Sequence, residues 1–205
     1  MIKKSLAFTL AEVLITMTII GVIAALTIPT LQYQRVKKEY TTKLKNFYSK
    51  VDNAILDMEL DYGSFRDLKK PAQGQGYNWY MKYLDPYIGH QLVKENSKVY
   101  YKDGSTLGTF YTGGCLDVDY DVNGDSPPNK RGYDKHRFLF CFTDSKRVGW
   151  FGKAEIFWGT YGSGLSGAGT SRESMITKCK DSPMWCTRLL QNDQWEFKSD
   201  YPLKF

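Results

Sequence analysis

An unbroken apolar run near the N-terminus constrains the architecture of this chain more than any other feature. No charged side chain occurs between Val13 and Leu31, and Lys3 and Lys4 precede the run. About 20 consecutive apolar residues are enough for a helix that crosses the hydrocarbon core of a bilayer. The run is long for the apolar core of a secretory signal peptide, so it predicts a membrane-spanning helix.

Basic residues flank this run on both sides, and the positive-inside comparison is therefore nearly balanced. Arg35, Lys37 and Lys38 follow the run, against two lysines before it. A short leading tail is easily retained, so we expect a single pass with the N-terminus in the cytoplasm and the bulk of the chain outside. A cleaved secretory signal peptide and an ordinary signal anchor are the alternatives.

Glu12 is the residue that neither alternative explains. It lies immediately before the apolar run. A charged side chain within a membrane helix costs about 3 kcal/mol even on mild scales, and such residues tend to be functional and paired. We therefore expect a cation or a hydrogen-bond donor as partner of the Glu12 carboxylate.

The stretch SLAFTLAEVLI, residues 5–15, resembles the N-terminal processing signal of type IV prepilins and type II secretion pseudopilins. In that family a basic leader ends in a small residue, cleavage exposes a phenylalanine that is N-methylated, and a glutamate lies four residues further on. The resemblance implies cleavage between Ala7 and Phe8, methylation of Phe8, and pairing of Glu12 with the terminal amine of a neighbouring subunit. The family usually has glycine where this chain has Ala7.

The resemblance also implies partners and a location. The partners are a prepilin peptidase and methyltransferase, other pilin or pseudopilin subunits in a filament, and an assembly platform in the bacterial inner membrane. The filament would lie in the periplasm or at the cell surface. Gly21 and Pro29 stand where pilin-like helices carry helix-breaking residues, which would let the helix stretch during assembly. A simple kink in a membrane helix is the alternative.

An amphipathic pattern continues the helix beyond the membrane. Apolar side chains recur at steps of three and four residues, the period of one helix face. The members of this face are Val36, Tyr40, Leu44, Phe47, Val51, Ala54 and Met58. We predict a helix from Phe8 to about Asp61, stopped by Gly63, whose second half packs on a sheet. A coiled-coil stalk is the alternative.

The remaining sequence predicts a head of helices and antiparallel strands. YNWYMKYLDPYI, residues 77–88, has helical spacing, and KVYYKDGSTLGTFY, residues 98–111, alternates around Asp103-Gly104, a dipeptide suited to a hairpin turn. HRFLFCFTDSKRVGWFG, residues 136–152, predicts a second hairpin. The fold class is therefore α+β and pilin-like, with a long N-terminal helix packed on a small antiparallel sheet.

This organisation divides the chain into four parts. They are a leader over 1–7, the transmembrane and assembly half of the helix over 8–34, its amphipathic half over 35–61, and a head over 62–205. A chain of 205 residues can bury one substantial core, whereas two full domains would be cramped.

Four cysteines form an even set, namely Cys115, Cys141, Cys179 and Cys186. They include no C-x-x-C pair, which argues against a zinc ribbon or a thioredoxin-like site, and an oxidising compartment beyond the membrane favours disulfides. We expect Cys179 to pair with Cys186 and to staple a helical C-terminal segment that ends in a strand-like tail at Trp195 and Phe197. Pairing of Cys115 with Cys141 is one choice among the connectivities that four cysteines allow.

A run of acidic residues in the head predicts a calcium loop. Its oxygen-bearing side chains are Asp117, Asp119, Asp121, Asn123, Asp125 and Asp134. The spacing around Gly124 copies the first half of an EF-hand, but Lys130 stands where the closing glutamate belongs, so a differently closed loop is required. Some pseudopilins carry calcium in this region. The alternative is a set of turns whose acids are solvated or neutralised by basic neighbours.

Enzymatic and nucleic-acid functions have little support in the sequence. His90 and His136 lack an adjacent nucleophile signature, and the G-x-G-x-x-G spacing at 162–167 has no surrounding βαβ unit. The formal net charge is +6, but its basic residues form no dense stripe. We therefore predict a structural subunit of a pseudopilus or pilus and no enzyme. An adhesin-like or DNA-uptake pilin is the alternative, and a membrane-anchored ligand-binding protein is a further one.

Overall fold

The computed structural model describes residues 8–94, 97–111, 114–142, 158–163 and 171–203, without the side chain of Arg66. It comprises two units, Met1–Glu39 and Tyr40–Phe205. Ala7, most of the predicted second hairpin after its first strand, and residues 164–170 of the glycine-rich loop lie outside the described residues.

The predicted long helix is present as α1, Leu10–Tyr62, 53 residues in length. Among the described helices it is the one long and apolar enough to cross a membrane, and its apolar window is not buried. It continues without a break through Gly21 and Pro29. Helix stretching at these two residues during assembly therefore stays a prediction.

The head contains four further helices, listed here with its strands. The helices are α2 Gly76–Tyr83, α3 Asp85–Ile88, α4 Arg172–Asp181 and α5 Cys186–Asn192. The strands are β1 Leu92–Val93, β2 Val99–Tyr100, β3 Thr106–Tyr111, β4 Cys115–Asp121, β5 Lys135–Cys141 and β6 Trp158–Thr160. Within the described ranges they form one antiparallel sheet in the order β1-β2-β3-β4-β5-β6. The α+β class is confirmed.

The amphipathic half of α1 packs on the inner face of this sheet, as the apolar period predicts. Leu44, Val51 and Met58 are fully buried, and the ring of Phe47 stacks on Tyr120 of β4 with centroids 4.0 Å apart. Each fully buried side chain of this size contributes about 1.5 to 3 kcal/mol. Because side chains alternate along a strand, the residues between the core positions lie on the opposite face, called the outer face below.

Two local predictions need correction. The helix predicted over 77–88 is divided into α2 and α3 at Leu84, just ahead of Pro86, because proline fits only the first turn of a helix. The strand-like tail at Trp195 and Phe197 is wrong. Gln194 and Trp195 have φ of 60° and 63°, so the chain turns sharply after α5 and leaves the strand conformation.

Both disulfides considered from the sequence occur in the structure. Cys179 is joined to Cys186 between α4 and α5, and Cys115 is joined to Cys141. Cys115 and Cys141 face each other directly in the β4–β5 register. By loop length, the bonds restrict the unfolded chain by about 2.5 and 3.5 kcal/mol.

Two glycines in facing turns give a matched pair of stability predictions. Gly104 and Gly124 both have positive φ, +81° and +69°. A Cβ on Gly124 would lie 2.5 Å from the Gly104 carbonyl oxygen, whereas a Cβ on Gly104 meets nothing within 4 Å. We expect Gly104→Ala to cost about 1 kcal/mol from backbone strain, and Gly124→Ala roughly 2 kcal/mol more from overpacking.

Tryptophan fluorescence during thermal unfolding of the detergent-solubilised chain measures this difference, because all five tryptophans lie in the head. Equal melting temperatures for the two variants would contradict the close approach of the turns.

Candidate functional site

The N-terminal site is built around a reciprocal contact between Thr9 and Glu12. The Thr9 backbone N–H and its hydroxyl both donate to Glu12 Oε2, each at 2.8 Å. In return, the Glu12 backbone N–H donates to Thr9 Oγ1 at 3.3 Å. This is a capping box, in which two N–H groups that the first helical turn leaves unsatisfied gain partners.

The capping box answers part of the question that Glu12 raises. A carboxylate is also stabilised near a helix N-terminus by the helix dipole. The apolar run around Glu12 predicts a donor or a cation as its partner, but it does not identify Thr9 as a donor within the same chain. The T-x-x-E spacing of residues 9–12 carried this signal.

The surface around this site is apolar and exposed. Phe8, at the predicted cleavage point, is 85% exposed, and Leu10 and Leu26 are 78% and 72% exposed. A Cβ on Gly21 would meet nothing within 4 Å, so nothing in its own unit packs there. An apolar surface of this extent requires lipid or partner subunits around it.

The acidic residues of β4 lie on the outer face of the sheet, where they meet arginines. Arg137 donates from Nε to Asp119 Oδ1 at 2.7 Å and from Nη1 to Asp117 Oδ2 at 3.2 Å. Arg131 binds the same Asp119 carboxylate with two hydrogen bonds of 2.8 and 2.7 Å. Burial alone would raise the pKa of Asp119, but the bonds from Arg131 and Arg137 bring it below its ordinary value.

Asp125 is also paired, although it lies at the surface. Its carboxylate accepts from Lys98 Nζ at 2.5 Å, Tyr100 Oη at 2.8 Å and Lys94 Nζ at 3.2 Å. The hydrogen bonds from Lys98, Tyr100 and Lys94 lower the pKa of Asp125. This carboxylate therefore ties the β1–β2 hairpin to the loop after β4.

Asp134 and Asn123 organise the loop between β4 and β5. The buried Asp134 carboxylate accepts the backbone N–H groups of Asn129 at 2.7 Å and Lys130 at 2.6 Å. The Asn123 amide donates to Tyr40 Oη and to the Pro127 carbonyl, both at 3.0 Å. These contacts correspond to the set of turns that the sequence offers as the alternative to a calcium loop.

Asp121 is the acid with the most unusual environment. It is only 4% exposed, and Lys135 Nζ lies 3.7 Å from its Oδ2. Burial, together with the charge of Asp134, raises the pKa of Asp121 to about 6. Its carboxyl is therefore partly protonated in weakly acidic conditions.

The observed arrangement does not fit the predicted calcium loop. Among the residues that the structure describes, no three His, Cys, Asp or Glu side chains form a group able to hold a metal ion. Asp117, Asp119 and Asp125 are directed at cationic side chains, and Asp134 at backbone N–H groups. Calcium needs six to eight oxygens directed at one point.

The two histidines have structural contacts. His136 is buried, its Nε2 lies 3.0 Å from the Tyr133 carbonyl oxygen, and burial lowers its pKa to about 4. His90 Nδ1 lies 2.6 Å from Asp85 Oδ2. His136 is therefore neutral at physiological pH and fills the core.

Comparison with known proteins matches the two parts of the chain separately. Residues 2–28 match the prokaryotic N-terminal methylation motif, which bears out the resemblance to prepilin signals and indicates a structural subunit with a membrane anchor. No curated protein and no solved structure matches the chain. Residues 30–205 match a family of unknown function, DUF6613. The chain therefore belongs to the DUF6613 family, with a prepilin-type methylation motif at its start.

Proposed function

We propose that this protein is a pilin-like subunit that is cut after Ala7, methylated on Phe8 and assembled into a pseudopilus or pilus. The observation that carries the proposal is the methylation motif over residues 2–28 on a helix of membrane-spanning length. The partners in this function are a prepilin peptidase and methyltransferase, an inner-membrane assembly platform and other pilin-like subunits.

The exposed apolar helix supports the two environments that the proposal requires. Before assembly, lipid covers side chains such as Leu10 and Leu26. After assembly, the same side chains pack against neighbouring helices. The head lies outside the cytoplasm, and its two disulfides suit an oxidising compartment there.

Glu12 has a different role at each of these stages. In the single subunit, its carboxylate is satisfied by Thr9 through the capping box. In the filament, it pairs with the methylated amine of Phe8 from a neighbouring subunit, and methylation keeps that amine charged. The attraction between the two charges is strong in a low-dielectric environment, so correct subunit register is favoured over slipped arrangements.

Intact mass of the protein extracted from membranes tests the processing step. In cells with an active prepilin peptidase, we expect loss of residues 1–7 and gain of one methyl group. Cells without the peptidase provide the control, in which the precursor mass is retained. An uncut N-terminus in the presence of the active peptidase would refute the proposed function.

A further inference from the structure

The outer face of the sheet holds a cleft that takes no part in processing or assembly. Its volume is about 310 Å³, at the lower end of the range of small-molecule sites. It opens over β3 and β4, where Gly108 is paired with Asp119. A Cβ on Gly108 would meet nothing within 4 Å, so the missing side chain leaves a depression between Thr106 and Phe110 on the same face.

Cationic side chains outnumber anionic ones around this cleft. Lys98, Arg131 and Lys135 line it, against the carboxyl groups of Asp119 and Asp121. The side chains of Arg131 and Lys135 are 37% and 33% exposed, so a ligand can reach both of them. Lys135 carries three N–H donors, and its ammonium lies 3.7 Å from Asp121, beyond a good hydrogen bond. The wall therefore favours a ligand with a carboxylate or a similar anionic group.

Two buried oxygen atoms line the same cleft and have no hydrogen-bond partner among the described residues. They are Thr106 Oγ1 and Asp121 Oδ2, in residues that are 1% and 4% exposed. Buried polar atoms without a partner are uncommon and call for an explanation such as a bound ligand. A ligand with hydroxyl groups would donate to the Asp121 carboxylate and exchange a hydrogen bond with Thr106.

An aromatic side chain adds an apolar wall to the cleft. Phe110 lines it and is 43% exposed, which is unusual for a phenylalanine. The C–H face of a pyranose ring is apolar and packs well against an aromatic ring. Cations, hydroxyl acceptors and an aromatic wall together match a molecule that has a carboxylate, hydroxyl groups and a flat apolar face.

We propose that this cleft binds a carboxylated sugar unit of the uronic acid type. The carboxylate faces Arg131 and Lys135, ring hydroxyls bind Thr106 and Asp121, and one ring face packs on Phe110. A free sugar and the terminal unit of a glycan chain share this chemistry. The proposal does not depend on how the N-terminus is processed.

Titration of the detergent-solubilised full chain with galacturonic acid, followed by ligand-observed NMR, tests the proposal. We expect saturable binding, and at least ten-fold weaker binding of galactose, which lacks the carboxylate, and of acetate, which lacks the ring. Parallel titration with trigalacturonate distinguishes the two sources, because tighter binding of the trimer indicates a glycan chain and equal binding a free sugar.

Gly108→Val provides the sharpest variant, since its side chain fills the cleft without a clash and a β-branched residue suits a strand. We expect at least ten-fold weaker binding of galacturonic acid with an unchanged or raised melting temperature. Lys135→Gln should weaken binding about ten-fold. Lys180→Gln, an exposed lysine of α4, is the matched control with unchanged affinity. Unchanged binding by Gly108→Val, equal binding of acetate, or no saturable binding of galacturonic acid would overturn the proposal.

Discussion

Glu12→Gln is expected to leave membrane insertion intact and to reduce incorporation of the subunit into filaments by roughly 30-fold or more. Glutamine can replace glutamate in a capping box, so the contacts with Thr9 are retained while the negative charge is lost. The methylated amine of the neighbouring Phe8 would then lie in lipid-like surroundings without a counter-charge. Leaving a charge unpaired there costs about 3 kcal/mol, which corresponds to more than a 100-fold change in an equilibrium.

The fraction of mature subunit recovered in cross-linked multimers of the native cells measures this effect. Thr9→Val is the matched control, because it removes the side-chain half of the capping box and keeps the Glu12 charge. We expect Thr9→Val to assemble far better than Glu12→Gln. If the two variants assemble equally well, the charge of Glu12 has no role in subunit register.

The N-terminal half of the protein was predictable because its information is local. A span of apolar residues and a short processing signal are read directly along the chain, and a three-to-four residue period places Leu44, Phe47 and Val51 on one helix face. α1 ends at Tyr62, one residue beyond the predicted end near Asp61. The Thr9–Glu12 capping box was equally local.

The acidic stretch was harder to interpret because its partners are distant in sequence. Alternation at every second residue indicates one face of a strand, which is how Asp117, Asp119 and Asp121 lie in β4. Spacing alone does not reveal that β5 pairs beside them and that Arg137 stands opposite Asp119. Strand register depends on the whole sheet, so the ion pairs could not be derived from the local pattern that suggested calcium.

Arg137→Met is expected to destabilise the head by about 3 kcal/mol. The Arg137 side chain is 12% exposed, and it joins Asp119 to Asp117, whose side chain is 4% exposed. Its guanidinium also lies over the ring of Phe110, 5.0 Å from the centroid. Methionine fills much of the same volume, but it leaves the buried Asp117 without this cation. Breaking a buried ion pair from one side costs about 3 to 5 kcal/mol.

Arg131→Met is the matched control for this substitution. The Arg131 side chain is 37% exposed, and Asp119 keeps its bonds to Arg137 when Arg131 is removed. A loss of about 1 kcal/mol or less is therefore expected, as for other exposed pairs. Tryptophan fluorescence during thermal unfolding of the solubilised chain compares both variants with the wild type.

The pH dependence of Arg137→Met distinguishes a stranded charge from simple loss of packing. Without Arg137, burial raises the pKa of Asp117 in the folded state above its unfolded value of about 3.9. The penalty is then fully present above the raised folded pKa, and it disappears as the pH falls below the unfolded value. The stability difference between wild type and Arg137→Met should therefore shrink toward about pH 4. A difference that stays constant between about pH 7 and pH 4 would assign the loss to packing against Phe110 and Met184, whose sulfur lies 3.4 Å from Arg137 Nη1.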